Sequence, residues 1–218
     1  MPEKIKQQQA ASYSLLIQGN RDYVKSVTDV DPDFFTNLAK GQHPEVLWIG
    51  CADSRVPANS LTGTRPGDVF VHRNIANMCI HSDMSMLSVL DYAVNILKVK
   101  HIIVAGHYGC GGVLAAMGNN QFGLIDNWLR HIKDVYRLYA RELDQIKDEK
   151  QRGDRFVELN VIEQVHNLST TSIIQNAWKE RFDLHIHGWV IDISTGLIKD
   201  LNVSCSNTDN LGQVFALQ

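Results

Sequence analysis

Two short apolar runs separated by a helical pattern constrain the fold of this chain more than any other feature. Residues 46–49 (VLWI) and 101–105 (HIIVA) read as strands of a parallel sheet that is buried on both faces. Between them, residues 82–99 carry leucines at helical spacing, with Ser82 or Ser85 available as the N-cap. A strand, a helix and a strand in this order require a parallel pair with a right-handed crossover. The sequence therefore predicts an α/β fold.

Further helical and strand patterns extend this unit in both directions. The first forty residues read as amphipathic helix with a helix start at Asp31 and Pro32, and we assign residues 1–43 to an N-terminal helical arm. The other predicted elements are a short helix near residues 56–61, a strand at 68–72, a helix at 111–117, a helix at 124–150, a helix from 154 that breaks at Ser169 and continues towards Trp178, and a strand at 184–193 that turns into 197–203.

Length and composition favour one soluble domain that spans residues 1–218. The chain is 44% hydrophobic and 21% charged, and no apolar stretch approaches the roughly 20 residues that cross a membrane. A net charge of −3 with interleaved lysine and glutamate leaves no basic patch for nucleic acid. We therefore expect neither a membrane nor a nucleic-acid partner. The first residues lack the apolar core of a secretory signal, so we expect a cytoplasmic location.

A polar pentapeptide, CADSR at residues 51–55, directly follows the first apolar run. The thiol of Cys51, the carboxylate of Asp53 and the guanidinium of Arg55 stand at alternate positions. They would project to one side if the extended backbone continued. Side chains of this kind at the carboxyl end of a parallel strand are typical of a functional site.

The second apolar run ends in GHYGCGG, which adds the imidazole of His107 and the thiol of Cys110. Thiolate and imidazole are common zinc ligands, and residues three apart on a turn can reach one ion. We predict one zinc ion per chain, held by His107 and Cys110 from this strand end and by Cys51 from the other. Cys79 and Cys205 have no such surroundings in the sequence, and we interpret them as small buried hydrophobic residues.

Asp53 distinguishes a structural site from a catalytic one. Its carboxylate could serve as a fourth zinc ligand, or Arg55 could hold it in a two-pronged charged hydrogen bond. The first arrangement gives a closed structural zinc module. The second leaves the fourth position for water and allows metal-assisted nucleophilic attack. The guanidinium of Arg55 favours catalysis, because a structural site has no use for it.

The sequence resembles the β-class carbonic anhydrases, especially the bacterial-type enzymes, over roughly residues 20–203. The resemblance implies a lyase that reversibly hydrates carbon dioxide to bicarbonate and a proton by attack of zinc-bound hydroxide. It also implies Cys51, His107 and Cys110 as permanent zinc ligands and Asp53 with Arg55 as the catalytic dyad. Hydrolysis of carbon disulfide or carbonyl sulfide at the same site is the alternative activity. The motifs that carry the resemblance are CADSR at 51–55, PGDVF at 66–70, HRNIAN at 72–77 and HYGCGG at 107–112.

The resemblance has three further implications. The fold would be a central, mainly parallel sheet with an added antiparallel strand and flanking helices, and the chain would form a homodimer or a homotetramer. A second bicarbonate site would use Trp48 and Arg73, but the tyrosine that completes it in some relatives is absent near Ile191. Because two thiolates neutralise the charge of the zinc ion, we expect activity that rises into the alkaline range.

Overall fold

The computed structural model describes residues 3–181 and 183–217. It divides into two compact units, Met1–Gln42 and His43–Gln218. The first unit contains helices α1 (Glu3–Thr28) and α2 (Phe34–Leu38), so α2 begins three residues after the predicted start at Asp31. Within this unit the rings of Tyr23 and Phe35 pack edge to face, 6.2 Å apart. A single domain with an arm at residues 1–43 stays a prediction.

A five-stranded sheet forms the centre of the second unit, with the strand order β2-β1-β3-β4-β5. The first four strands pair in parallel, and β5 pairs antiparallel with β4. This arrangement confirms the predicted mainly parallel α/β sheet with one added antiparallel strand. The strands are β1 (Val46–Cys51), β2 (Val69–Asn74), β3 (His101–His107), β4 (His185–Ile191) and β5 (Ile198–Asp200).

Six α-helices are described in the second unit. The predicted helix at residues 124–150 is in fact two, because α6 ends at Leu143 and a new helix begins after Asp148, whose side chain caps it by accepting from the Gln151 N–H. Asp83, rather than Ser82 or Ser85, caps the crossover helix. The helices are α3 (Ala58–Thr62), α4 (Met84–Asp91, extended by a π-helical turn at Tyr92–Ile96), α5 (Gly111–Ala116), α6 (Ile125–Leu143), α7 (Glu149–Ser169) and α8 (Ser172–Glu180).

Helix α7 packs directly against β3 and β4. Glycines on the two strands permit this close approach: a Cβ at Gly106 would lie 2.6 Å from Val161 Cγ2, and a Cβ at Gly188 would lie 3.1 Å from Val161 Cγ1. Because α7 lies this close to the sheet, its polar side chains can reach the segments that follow β2 and β3. Across the described residues, every helix is too short or too polar to cross a membrane.

Candidate metal centre

The predicted zinc ligands meet at the carboxyl edge of the sheet. Strands β1 and β3 are parallel neighbours, so Cys51 at the end of β1 lies near His107 at the end of β3. Cys110 follows at the N-cap position of α5. One ligand atom from each of the three lies within 4.8 Å of the other two, and all three residues are buried. Among the described residues, this is the one group of three or more cysteine, histidine or acidic side chains that converges in this way.

A backbone carbonyl group fixes the orientation of the His107 ring through its Nδ1 atom. Its Nδ1–H donates to the carbonyl oxygen of Tyr108 at 3.0 Å. Its Nε2 is fully buried and has no hydrogen-bond partner in the described part of the chain. A buried nitrogen without a partner is costly unless a ligand takes it, and metal-bound histidines commonly donate their other ring N–H in this manner. Nε2 is therefore available to a metal.

The two cysteine sulfurs lie 3.8 Å apart, within reach of one thiol hydrogen bond. This hydrogen bond from Cys110 lowers the pKa of the Cys51 thiol to about 4, assisted by the His107 imidazole and by the backbone N–H groups of Asp53 and Ala76, while burial opposes the shift. The same hydrogen bond, together with burial, raises the pKa of Cys110. A divalent cation bound between the sulfurs would displace this proton, because only thiolates ligate metals well.

A strained turn after β2 supplies one of these N–H groups. Ala76 and Asn77, in the 3₁₀ turn Ile75–Asn77, have φ values of 64° and 50°, a left-handed conformation that is uncommon for residues other than glycine. The Nδ2 of Asn160 on α7 holds the Ala76 carbonyl oxygen at 3.1 Å. Strain that persists in this way often marks a functional site. Here the turn directs the Ala76 N–H to the Cys51 sulfur, a contact that residue types alone could not reveal.

Asp53 and Arg55 form the two-pronged pair that the sequence predicted as one of two alternatives. Arg55 Nε donates to Asp53 Oδ1 at 2.9 Å, Nη2 donates to Oδ2 at 2.7 Å, and the Arg55 backbone N–H also donates to Oδ1 at 3.0 Å. These hydrogen bonds hold the pKa of Asp53 far below its usual range. The same carboxylate lies 3.7 Å from His107 Nε2. Asp53 is thus bound to Arg55 at the rim of the ligand group.

Comparison with known proteins shows which family this chain belongs to. The family model described as carbonic anhydrase matches residues 46–198. A carbonic anhydrase from Emericella nidulans is 50% identical over 88% of this chain and 84% of its own length. A tetrameric β-carbonic anhydrase from Sordaria macrospora superposes with a TM-score of 0.86 at 42% identity, over 89% of this chain and 99% of its own. The chain belongs to the β-class carbonic anhydrases.

Two further carbonic anhydrases are similar to this chain, one in sequence and one in structure. The carbonic anhydrase of Pseudomonas aeruginosa is 33% identical over 86% of each chain. A Coccomyxa β-carbonic anhydrase in complex with acetazolamide has a TM-score of 0.87 at 36% identity, and the match covers 90% of this chain and 89% of that one. The Pseudomonas aeruginosa and Coccomyxa enzymes are therefore also relatives of this chain.

The ligand group suits zinc. Two soft thiolates and one imidazole are ligands that zinc accepts in tetrahedral sites. His107 Nε2 is buried without a hydrogen-bond partner among the described residues, and the Cys51 and Cys110 sulfurs lie 3.8 Å apart, as expected for three ligands of one cation. The side chains of the carbonic anhydrase site therefore fit the ion.

Arg73 and Trp48 lie beside this centre on β2 and β1. Arg73 Nε donates to the Cys51 carbonyl oxygen at 2.8 Å, and its Nη2 donates to the Asp53 carbonyl oxygen. The Trp48 ring is buried against Gly50, where a Cβ would lie 2.3 Å from Trp48 Nε1. The Trp48 and Trp189 rings pack edge to face, with their centroids 6.3 Å apart. Arg73 thus supports the backbone of the CADSR segment, a role that the sequence did not suggest.

A cavity of about 1270 Å³ lies next to Arg55 and to the loop that follows His107. Arg55, Tyr108 and Gly109 line it on the side of the metal ligands. Its other walls come from the start of α7, the end of α5 and the turn after β4, and they include Asp148, Asp154 and Asp192. The cavity therefore borders the Asp53–Arg55 pair on its Arg55 side.

Proposed function

We propose that this enzyme reversibly hydrates carbon dioxide to bicarbonate and a proton at one zinc ion per chain, held by Cys51, His107 and Cys110. The convergence of these three buried ligand atoms within 4.8 Å carries the proposal. A bound zinc ion acidifies water and so supplies a nucleophilic oxygen for attack on carbon dioxide. The protein's contribution is to fix the ligands, orient the reactants and admit the substrate through the cavity beside Arg55.

Asp53 would act as a hydrogen-bond acceptor next to the reacting oxygen. Because Arg55 keeps the carboxylate ionised and turned towards itself, Asp53 can accept a hydrogen bond from the reacting oxygen and orient it without occupying the metal. Removal of one positioned hydrogen-bonding group beside a reacting oxygen typically lowers a rate by roughly 10²–10³-fold. Arg55 would be the residue that keeps Asp53 in place.

The closed structural zinc module is the competing proposal. It would require Asp53 as the fourth ligand, and the 3.7 Å separation of Asp53 Oδ2 from His107 Nε2 makes a short movement sufficient. The two-pronged hold of Arg55 favours the open form. Movement of Asp53 between Arg55 and the metal would then switch the enzyme off and on. Carbon disulfide or carbonyl sulfide as substrate stays an alternative that a direct comparison of turnover would decide.

We further propose that bicarbonate inhibition through a second site is weak or lost here. The guanidinium of Arg73 is already engaged with the carbonyl oxygens of Cys51 and Asp53, and Ile191 is buried where a tyrosine would be needed. Bicarbonate soaked into crystals and found between Trp48 and Arg73 would overturn this proposal.

The assembly and the location are also proposals. The Sordaria macrospora enzyme is tetrameric, and its similarity over 89% of this chain supports a homodimer or a homotetramer here. We propose that this assembly works in the cytoplasm. Sedimentation of the purified full chain would distinguish a monomer, which would contradict the assembly proposal, from a dimer or a tetramer.

The deciding experiment compares the native chain with Asp53→Ala. We expect the native chain to contain about one zinc ion and to hydrate carbon dioxide, with activity that rises at alkaline pH. Asp53→Ala should keep the zinc and lose roughly a hundredfold or more of the activity. Native protein that contains zinc but hydrates carbon dioxide no faster than buffer at any alkaline pH would contradict the catalytic proposal.

A further inference from the structure

A buried carboxylate on α7 connects to the loop that carries two of the metal ligands. Glu158 Oε1 accepts from the Tyr108 hydroxyl at 2.7 Å and from Lys199 Nζ at 2.7 Å. Its Oε2 accepts from Arg155 Nη1 at 2.9 Å. Only 9% of the residue is exposed, so its charge needs these partners. Glu158 thus joins α7 to β5 and to the loop after β3.

Two cations are more than the charge of Glu158 requires. Arg155 has a second carboxylate partner, because its Nε donates to Glu142 Oε1 at 2.6 Å. The side chain of Lys199 is 56% exposed, so water can solvate it. The two cations neutralise the carboxylate, so neutralisation does not account for the third partner, the Tyr108 phenol. Tyr108 directly follows the metal-ligand candidate His107 in the chain.

Tyr108 is held at three points, and one of them fixes a metal ligand. Its carbonyl oxygen accepts from His107 Nδ1 at 3.0 Å. Its backbone N–H donates to the Ile191 carbonyl oxygen at 3.0 Å, and its hydroxyl donates to Glu158. Because Gly109 follows in a left-handed conformation with a φ of 67°, the loop turns immediately after Tyr108. The phenol is therefore the side-chain anchor of the peptide that orients the His107 ring.

We propose that Glu158 is a positioning residue for the metal centre: by holding the Tyr108 hydroxyl, it fixes the carbonyl oxygen that selects the tautomer and direction of His107. The proposal rests on the proposed function in that His107 is a zinc ligand. Partners of this kind, one step removed from the metal, typically alter metal affinity or activity by roughly 10–100-fold when they are lost.

A purely structural role is the alternative, in which Glu158 serves only to join β5 to α7. The chain offers a matched control for it. The Tyr139 hydroxyl donates to Glu163 Oε2 at 3.4 Å, which is also a phenol–carboxylate pair between α7 and a neighbouring element. Neither Tyr139 nor Glu163 contacts the metal ligands in the hydrogen bonds and ion pairs of the described residues. Tyr139→Phe therefore removes the same chemistry without touching the loop.

The test measures zinc affinity by competition with a chelator, together with the absorption spectrum of cobalt-substituted protein. Tyr108→Phe removes one hydrogen bond and leaves the pairs of Glu158 with Lys199 and Arg155 intact. We expect it to weaken zinc binding by roughly tenfold or more and to shift the cobalt bands, because the His107 nitrogen is less well directed. Tyr139→Phe should leave the zinc affinity and the cobalt bands as they are in the native chain, because its hydrogen bond lies away from the metal ligands.

Two substitutions of Glu158 distinguish the effect of its hydrogen bond to Tyr108 on zinc binding from the effect of its negative charge. Glu158→Leu removes the acceptor, and we expect it to weaken zinc binding as much as Tyr108→Phe does. Glu158→Gln keeps an oxygen that can replace Oε1 as acceptor for Tyr108 and Lys199, and we expect near-native affinity. The double variant Tyr108→Phe with Glu158→Leu should bind zinc no more weakly than either single variant, since both remove the same Tyr108–Glu158 hydrogen bond.

Native zinc affinity and native cobalt bands in folded Tyr108→Phe would overturn the proposal, even if Glu158→Leu failed to fold. Equal losses in Tyr108→Phe and Tyr139→Phe would overturn it too, because they would indicate a general loss of stability. The readout is metal binding, so it is independent of turnover. A native chain that binds zinc but does not hydrate carbon dioxide would contradict the proposed function alone.

Discussion

The two ends of the central sheet both carry histidines, but among the described residues only the carboxyl end brings candidate metal ligands together. At the carboxyl end, one atom each from Cys51, His107 and Cys110 lies within 4.8 Å of the others. At the amino end, the rings of His101, His185 and His187 lie 5.3–6.2 Å apart with their planes inclined by only 23–37°. Histidine thus lies close to two cysteines at the carboxyl end, whereas three histidine rings stack on one another at the amino end.

Backbone direction explains the difference. His101 and His185 are register partners on parallel strands, and His187 follows two residues later on the same face. Their side chains leave the sheet side by side, so the rings are nearly parallel. At the carboxyl end the chain turns after each strand, and the ligands approach one point from β1, from β3 and from the start of α5. Convergence therefore requires strand ends and turns, not merely neighbouring strands.

Hydrogen bonding increases the contrast. His187 Nδ1 lies 2.7 Å from Ser204 Oγ, and its Nε2 lies 3.1 Å from His101 Nδ1, so both ring nitrogens are engaged. His107 uses Nδ1 alone and leaves Nε2 without a partner among the described residues. A satisfied imidazole stabilises the fold, whereas an unsatisfied buried one is available to a ligand.

The largest effect is expected from removing a ligand at the carboxyl end. Cys110→Ser should lower zinc affinity by roughly a hundredfold or more, since structural zinc sites gain about 10–16 kcal/mol from four ligands together. Carbon dioxide hydration should fall with the zinc content, and both can be measured on the same sample. Cys205→Ala, which changes a thiol at the amino end, is the control and should retain one zinc ion. Full zinc content in Cys110→Ser would exclude this residue as a ligand.

Releasing Asp53 should have the next largest effect. Arg55→Leu removes both side-chain hydrogen bonds to the carboxylate, so Asp53 becomes free to move towards the metal. We expect zinc content to be retained and hydration to fall by roughly 10–100-fold. Arg55→Lys, which keeps the charge but cannot form two parallel hydrogen bonds, should be intermediate. Native activity in Arg55→Leu would show that the pair does not control the site.

The fold and the convergence of Cys51, His107 and Cys110 could be predicted because they depend on side-chain type and spacing. Apolar runs predicted the parallel strands, and thiol and imidazole groups at two strand ends predicted the metal centre. The backbone groups around it were not predictable: the Ala76 N–H, the Tyr108 carbonyl oxygen and the support that Arg73 gives to the CADSR segment depend on φ and ψ angles that no residue name specifies. The break at Leu143 was missed because the apolar pattern of α6 continues past it.

Removing a histidine at the amino end should affect stability and not the metal. His187→Ala eliminates the contacts to His101 and Ser204, and two hydrogen bonds of ordinary strength contribute about 1–3 kcal/mol together. In a chain of this length we expect the unfolding temperature to fall by about 2–4 °C for each 1 kcal/mol lost. Zinc content should stay at one ion per chain. If the native chain bound a second zinc ion and His187→Ala did not, the amino end would also be a metal site, and the distinction between the two ends would be wrong.

The smallest effect is expected in the pH dependence of the free energy of unfolding. His187 at the amino end and Asp53 at the carboxyl end contribute to it in different pH ranges. Burial, followed by the neighbouring His101 and His185, lowers the pKa of His187 below 6.5, while Asp200 opposes the shift. The unfolded chain therefore binds the proton more readily than the folded one, so this contribution to stability is complete above pH 6.5 and is lost as the pH falls through the folded pKa.

Asp53 acts in a different range, because Arg55 lowers its pKa below 3.8 and its contribution is present above that pH and is lost only in stronger acid. Urea unfolding of the native chain between pH 7 and pH 5 should thus show a decline that His187→Asn reduces and Asp53→Asn leaves unchanged. An equal decline in the native chain and His187→Asn would assign it to other groups, and a reduced decline in Asp53→Asn would contradict the separation of the two ends.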